Sequence, residues 1–278
     1  AFVAQRLGMA HVGPLTFNAA RFTLGALALL PLAVRRAGAS ARPAHRDPTP
    51  GDGTRPWRDD VPRGLALGAV LFGGVTFQQW GLVFTGAGNA GFITGLYVVL
   101  VPVLGLTVGQ RTHRATWFGA ALAVVGLYLL AMTDRLTMAA GDLLVLASSV
   151  FWAWHVLLIG RWSPGGEPIR LACLQFAACA GLSWLGAFAF EYVAWAPLRA
   201  VAGPILYAGL LSTGVAYTLQ VVVQRSTPPA HAAVILSLEA VFALVGGALV
   251  LGESLGTRGL VGCALMLAGM VVSQVSRR

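Results

Sequence analysis

Residues 76–93 read TFQQWGLVFTGAGNAGFI, and residues 218–235 read TLQVVVQRSTPPAHAAVI. Aligned from Thr76 onto Thr218, an offset of 142 positions, Gln78 falls on Gln220 and Thr85 on Thr227. After a shift of one residue in the following loop, Gly119 falls on Gly262, Gly126 on Gly269, and Gly109–Gln110 on Gly252–Glu253. A second match, at the offset of 154 positions from Pro14 to Pro168, sets PLTFNAARF against PIRLACLQF and Arg21 against Gln175. Each match is weak alone, but their common order along the chain marks an internal repeat.

The medium follows from composition. With 57% hydrophobic and 10% charged residues and a mean hydropathy of +0.75, the chain lies outside the soluble range, where roughly a quarter of residues are charged. A helix that crosses the bilayer needs about 20 predominantly apolar residues. The chain divides into such segments at Pro14–Val34, Gly64–Phe84, Ala87–Val108, Ala115–Ala131, Gly141–Ile159, Pro168–Phe190, Gly203–Val223, Ala230–Leu251 and Leu260–Val275. Period-two alternation is absent, so helices rather than barrel strands satisfy the backbone in lipid. Before the first segment stands AFVAQRLGMA, half a span.

Counting that half, the expectation is an all-α membrane protein of ten transmembrane helices in two five-helix repeats, residues 1–133 and 134–278. An odd number of helices per half inserts the second copy upside down, as in secondary transporters. The repeat register places the counterpart of GDLLVLASSVFWAWH, residues 141–155, ahead of residue 1, so helix 1 is expected to be truncated in this chain.

All nineteen basic residues are Arg, and alternate loops assign fourteen of them to one side of the membrane. The positive-inside rule makes that side cytoplasmic and puts the C-terminus there. The net charge of +9 then reflects topology rather than nucleic-acid binding. Residues 37–62, rich in Pro and mixed charge, are expected to form a mobile cytoplasmic loop. Cys173, Cys179 and Cys263 sit inside spans without metal-ligand spacing, so neither a disulfide nor a metal site is expected.

The stretches FVAQRLGMAHVGPLTFNAARF (2–22), FWAWHVLLIGR (151–161), LSTGVAYTLQ (211–220) and SLEAVFALVGGALVLGESL (237–255) together resemble the drug/metabolite transporter superfamily, EamA type, over essentially the whole chain. The last is similar to the family's L-E-P-V...L-G-E signature, with Ala240 where Pro is usual. Within the superfamily the chain looks most like the YddG-type amino-acid exporters. The resemblance implies a secondary transporter exporting amino acids, aromatic ones included, or related small metabolites across a bacterial inner membrane. Multidrug efflux or carriage of another metabolite on the same fold is the alternative.

Polar residues at helical spacing mark faces that avoid lipid. They nominate Arg21, Gln78, Tyr97, Trp152, His155, Tyr217, Gln220 and Glu239 as substrate-binding residues. Thr213, Tyr217, Gln220 and Gln224 form one stripe, and Ser148, Trp152 and His155 another. Each nominee has a structural reading as well. Gln78 and Gln220 can tie helices together; Trp152 can be core; His155 can be a neutral hydrogen-bonding residue rather than a proton carrier. Arg21 can hold a substrate carboxylate or pair with a polar neighbour. The register makes Tyr97 and Glu239 counterparts near mid-membrane. A lone carboxylate in hydrocarbon costs on the order of 3 kcal/mol, so Glu239 is either a proton-responsive site or a structural acceptor.

Small-x-x-x-small pairs Gly64/Gly68, Gly91/Gly95 and Gly105/Gly109 are expected to let helices approach closely, and Pro102 to bend its helix beside Tyr97. The spans contain no H-E-x-x-H, no G-x-S-x-G and no carboxylate pair, which argues against an intramembrane enzyme. No ATP-binding loop is present, and no cofactor is expected. The expected partners are a small-molecule substrate and the lipid bilayer, with a monomer as the default.

Overall fold

The computed structural model describes residues 2–40, 57–85, 87–131, 140–242 and 256–275. Among these, all regular structure is helical. The elements are α1 (Phe2–Met9), α2 (Pro14–Ser40), α3 (Trp57–Phe84), α4 (Ala87–Gly95), α5 (Tyr97–Thr107), α6 (Arg114–Ala131), α7 (Ala140–Trp162), α8 (Pro168–Phe190), α9 (Trp195–Ala200), α10 (Ala202–Leu206), a π-helix (Tyr207–Tyr217), α11 (Thr218–Val223), α12 (Pro229–Leu236) and α13 (Thr257–Val275). Among the described residues, six stretches are long and apolar enough to cross a membrane: Pro14–Arg35, Trp57–Phe84, Ala90–Thr107, Ala140–Trp162, Pro168–Phe190 and Ala202–Val223. Shorter apolar helices cover Arg114–Leu129, Pro229–Phe242 and Thr257–Ser273. Each of the nine apolar segments thus carries helix over its described residues.

The loop expected over 37–62 is narrower, because α2 runs to Ser40 and α3 starts at Trp57. Asp59 and Asp60 occupy the first turn of α3, where carboxylates complement the helix dipole, and Asp60 is buried against Arg170. Residues 41–56 and residues 243–255, including Glu253, lie outside the described residues.

The chain forms two compact units, and each takes one stretch from either half: residues 1–76 with 158–227, and residues 77–157 with 228–278. In the first unit α2 packs along α8. Phe22 and Phe176 meet at 6.0 Å between ring centroids, Trp184 Nε1 donates to Thr23 Oγ1 at 3.0 Å, and Cys173 Sγ reaches the Ala26 carbonyl at 3.6 Å. Residue numbers rise along one helix as they fall along the other, so the two run antiparallel. Gly64 and Gly68 bring α3 against α8, since a Cβ at either would lie 2.4 Å from Leu174 Cβ or Ala178 Cβ.

Both ends of this unit are tied by carboxylates. Helix α2 begins at Pro14, with the N–H groups of its first turn facing no intrahelical acceptor. Glu191 fills that role from across the unit, accepting from Leu15 N and Thr16 N at 2.8 Å and from Thr16 Oγ1 at 2.7 Å. At the other end Arg170 and Asp60, 2% and 1% exposed, form a buried ion pair, with Trp57 stacked 5.6 Å from the guanidinium.

In the second unit α6 packs along α13. A Cβ at Gly119 would stand 2.5 Å from Gly269 O, one at Gly269 would stand 2.5 Å from Gly119 O, and one at Gly126 would stand 2.5 Å from Gly262 O. The remaining glycine pairs divide. Gly95 is closed off by Leu127, 2.1 Å from its Cβ position, whereas no described residue lies within 4 Å of a Cβ at Gly91. Gly105 makes only ordinary contacts, the nearest at 3.5 Å, and Gly109 serves a turn instead of a helix contact: at φ +78° it ends α5 in a Schellman motif, with Gln110 N on Gly105 O at 2.9 Å and Gly109 N on Leu106 O at 3.1 Å.

The helix interruption beside Tyr97 occurs at Leu96, not at Pro102, and α5 continues through Pro102. The Ile93 carbonyl accepts Ser149 Oγ at 2.7 Å and Leu96 N at 3.2 Å, an i→i−3 bond that tightens the turn. The same break recurs in the other half of the chain. Leu238 N bonds Ile235 O at 3.1 Å, and Phe242 N bonds Leu238 O at 3.1 Å, as Leu100 N bonds Leu96 O at 3.1 Å. At the offset of 142 these are the same positions, immediately before Glu239 and Tyr97.

Candidate functional site

The nominated residues divide between the two units. Arg21, Tyr217 and Gln220 fall in the first; Gln78, Tyr97, Trp152, His155 and Glu239 fall in the second.

In the first unit, helix α2 carries Arg21 fully buried. Its Nε donates to Asn18 Oδ1 at 3.0 Å, one turn back, and Asn18 Nδ2 reaches the Val75 carbonyl at 3.4 Å. The guanidinium lies 4.7 Å from the Phe22 ring centroid and 5.9 Å from that of Phe17. A desolvated cation gains up to about 2 kcal/mol from such a ring face. Phe22, Phe176 and Tyr217 complete a triangle, with centroid separations of 6.0, 6.5 and 6.4 Å. Arg21 and Tyr217 therefore share the Phe22 ring as a common neighbour, and Gln175, the counterpart of Arg21, is fully buried on the same helix as Phe176.

The π-helix sets the position of Tyr217. Gly209 and Gly214 are five residues apart, the π spacing, and a Cβ on Gly214 would lie 3.3 Å from Gly209 O. A Cβ on Gly209 would lie 2.9 Å from Arg21 O, and one on Gly25 would lie 2.7 Å from Thr213 Cγ2. Small residues thus let this stretch lie against α2 beside Arg21. Gln220 follows on α11 and donates from Nε2 to Gln224 Oε1 at 3.1 Å, which completes the buried polar stripe.

In the second unit, Trp152 and His155 sit one turn apart on α7, edge to face at 5.8 Å, 9% and 1% exposed. Tyr97, the first residue of α5, packs on the cluster of Val101, Ala153, Val156 and Leu157, beside them on α7. Gln78 donates from Nε2 to Thr94 Oγ1 at 3.1 Å, so it ties α3 to α4 one turn before the break. Glu239 stands at the surface of this unit, at the residue where the helix restarts. Asp142 accepts the Thr85 hydroxyl from within the first turn of α7.

No group of three or more His, Cys, Asp or Glu side chains that could hold a metal occurs among the described residues.

A model of the EamA-like transporter family matches the chain twice, over residues 1–132 and 139–274. The chain belongs to the EamA-like transporter family. This transporter is 31% identical to an uncharacterized transporter of Archaeoglobus fulgidus over 273 residues, 98% of this chain and 80% of that protein. It is 27% identical over 208 residues to the uncharacterized transporter YwfM of Bacillus subtilis, 71% of this chain and 69% of that protein. A crystal structure of 20% identity superimposes with a TM-score of 0.76, covering 99% of this chain and 91% of that one, which shows the fold alone. The EamA-like transporter is accordingly a multi-pass membrane protein that moves small molecules. Within it, Phe22 and Phe176 are sequence neighbours of Arg21 and Gln175 that polarity could not nominate, because Phe in an apolar span reads as core. Their signal was positional: they are repeat counterparts flanking Arg21 and Gln175.

Proposed function

We propose that this EamA-like protein is a secondary transporter built from two inverted five-helix repeats, 1–133 and 134–278, which exports amino acids or related small carboxylates across a bacterial inner membrane by alternating access. The observation that carries the substrate class is Arg21, a cation buried in a span with its guanidinium beside the Phe22 and Phe17 rings, Phe22 in turn packing with Phe176 and Tyr217. A guanidinium beside aromatic faces complements a carboxylate with an apolar or aromatic body. It repels the flat cations handled in multidrug efflux, so the amino-acid reading is preferred.

Three features support the inverted repeat. The family model matches each half separately. Counterpart helices pack antiparallel in both units, and each glycine at the α6–α13 contact meets the counterpart of another, the reciprocity of a two-fold axis. The breaks at Leu96 and Leu238 are counterparts too. Such interrupted helices are where transporters of this design place binding and hinge elements. Tyr97, Trp152, His155, Gln78, Gln220 and Glu239 complete the proposed set of substrate-facing or coupling residues.

The test is uptake into proteoliposomes, with labelled amino acids competing against other metabolites and a cationic dye. Saturable amino-acid flux that Arg21→Gln and Tyr217→Ala each weaken tenfold or more, with folded yield kept, supports the reading. Dye transport indifferent to Arg21→Gln would replace it with the efflux alternative. Glu239→Gln separates coupling from structure: loss of pH-gradient-driven accumulation with counterflow retained assigns proton coupling to Glu239, and full accumulation removes that role.

A further inference from the structure

The second unit contains a cavity of about 200 Å³ that no part of the proposed transport path uses. Its exposed members include Arg111 and His113, and its buried members include His231, Thr116 and Ser273. Gln110 and Thr112 add further hydrogen-bonding groups. Among the described residues, none that lines the cavity carries a carboxylate.

The local chain makes this pocket deliberately polar. The Schellman turn at Gly109 ends α5 and swings Gln110 and Arg111 to the cavity wall. Pro229 opens α12, and the first backbone donor spent inside that helix is Ala232 N, on Pro228 O at 2.9 Å. Ala230 and His231 precede it in the first turn of α12, which lies at the cavity, where the helix dipole is positive. Buried His231 is held by Ser273 Oγ at 2.8 Å from Nδ1, which fixes the ring against α13.

A guanidinium, two imidazoles, hydroxyls and a helix start, with no opposing carboxylate in the wall, are the complement of a compact multivalent oxyanion. We propose that this cavity binds a phosphate group, held mainly by Arg111 with His113 and His231. Basic pockets between membrane helices take anionic lipid headgroups, and a soluble phosphate has the same chemistry. Neither Arg21 nor Tyr97 is among its described lining residues, and it does not depend on the transported substrate being an amino acid.

The full chain is reconstituted in nanodiscs of phosphatidylcholine alone, the same with phosphatidylglycerol, and phosphatidylcholine with inorganic phosphate added at constant ionic strength. Thermal unfolding is compared for wild type, Arg111→Gln and, as a control arginine outside the cavity, Arg58→Gln. Stabilisation by phosphatidylglycerol that Arg111→Gln abolishes and Arg58→Gln leaves intact assigns a lipid phosphate. The same pattern with inorganic phosphate alone assigns a soluble one. His231→Gln, which keeps a hydrogen-bonding side chain beside Ser273, is expected to weaken either response several-fold. Equal responses in wild type and Arg111→Gln to both anions would overturn the site.

Discussion

The glycine contact between α6 and α13 makes a prediction whose arithmetic is set by the coordinates. In Gly119→Ala the new methyl would stand 2.5 Å from Gly269 O, a backbone atom that cannot rotate away. Carbon–oxygen contacts normally settle at about 3.3–3.6 Å, so the helices must part locally by about 1 Å. Overpacking of this kind costs about 1–3 kcal/mol. Gly269→Ala makes the same demand, because its Cβ would lie 2.5 Å from Gly119 O. One separation accommodates both methyls, so the double variant should cost about as much as either single one. That leaves a coupling of about 1–3 kcal/mol in the cycle. Gly181→Ala, with no described residue within 4 Å of its Cβ position, is the neutral control. The assay is SDS-induced unfolding in mixed micelles, followed by circular dichroism. Strictly additive losses, or no loss at Gly119→Ala, would refute close reciprocal packing of these helices.

Two other expectations concern the ends of the first unit. Glu191→Gln removes the charge that receives Leu15 N, Thr16 N and Thr16 Oγ1, and should cost about 1–2 kcal/mol; hydrogen exchange at Leu15 and Thr16 should accelerate while the middle of α2 is unchanged. Arg170→Met takes the close cation from Asp60, 1% exposed, leaving Arg63 Nη1 farther off at 4.0 Å, and should cost about 3 kcal/mol; adding Asp60→Asn should restore most of it, since the penalty lies in a buried charge that has lost its nearest cation.

What was legible in the sequence was whatever repeats or alternates along it. Apolar runs located the helices, and the stripe from Thr213 to Gln224 located a buried face. Features set by distant partners were not legible. The Asp60–Arg170 pair joins residues 110 positions apart, and Glu191 serves α2 across 175 positions or more. At the helix break, the Ile93 carbonyl also accepts Ser149 Oγ from 56 positions away, while Pro102, the visible helix-breaker, lies inside α5. The π-helix is absent from the corresponding part of α3, so the repeat itself could not announce it.

The repeat register nonetheless contained more than a helix count. Read as a symmetry operator, it says that a residue on the axis meets its own counterpart, and that off-axis residues meet each other's counterparts. Phe22 and Phe176 are the first kind, at 6.0 Å; Gly119 with Gly269 and Gly126 with Gly262 are the second, their Cβ positions 2.5 Å from opposing carbonyl oxygens. These contacts are the ones that the proposed inversion of the second copy would produce. The departures are equally informative, because a symmetric scaffold gives both halves the same chemistry unless residues break it. Arg21 faces Gln175 in the register, and Tyr97 faces Glu239. Under the proposed alternating-access cycle these are two places where the repeats differ in charge, which makes Arg21→Gln and Glu239→Gln the substitutions that test it.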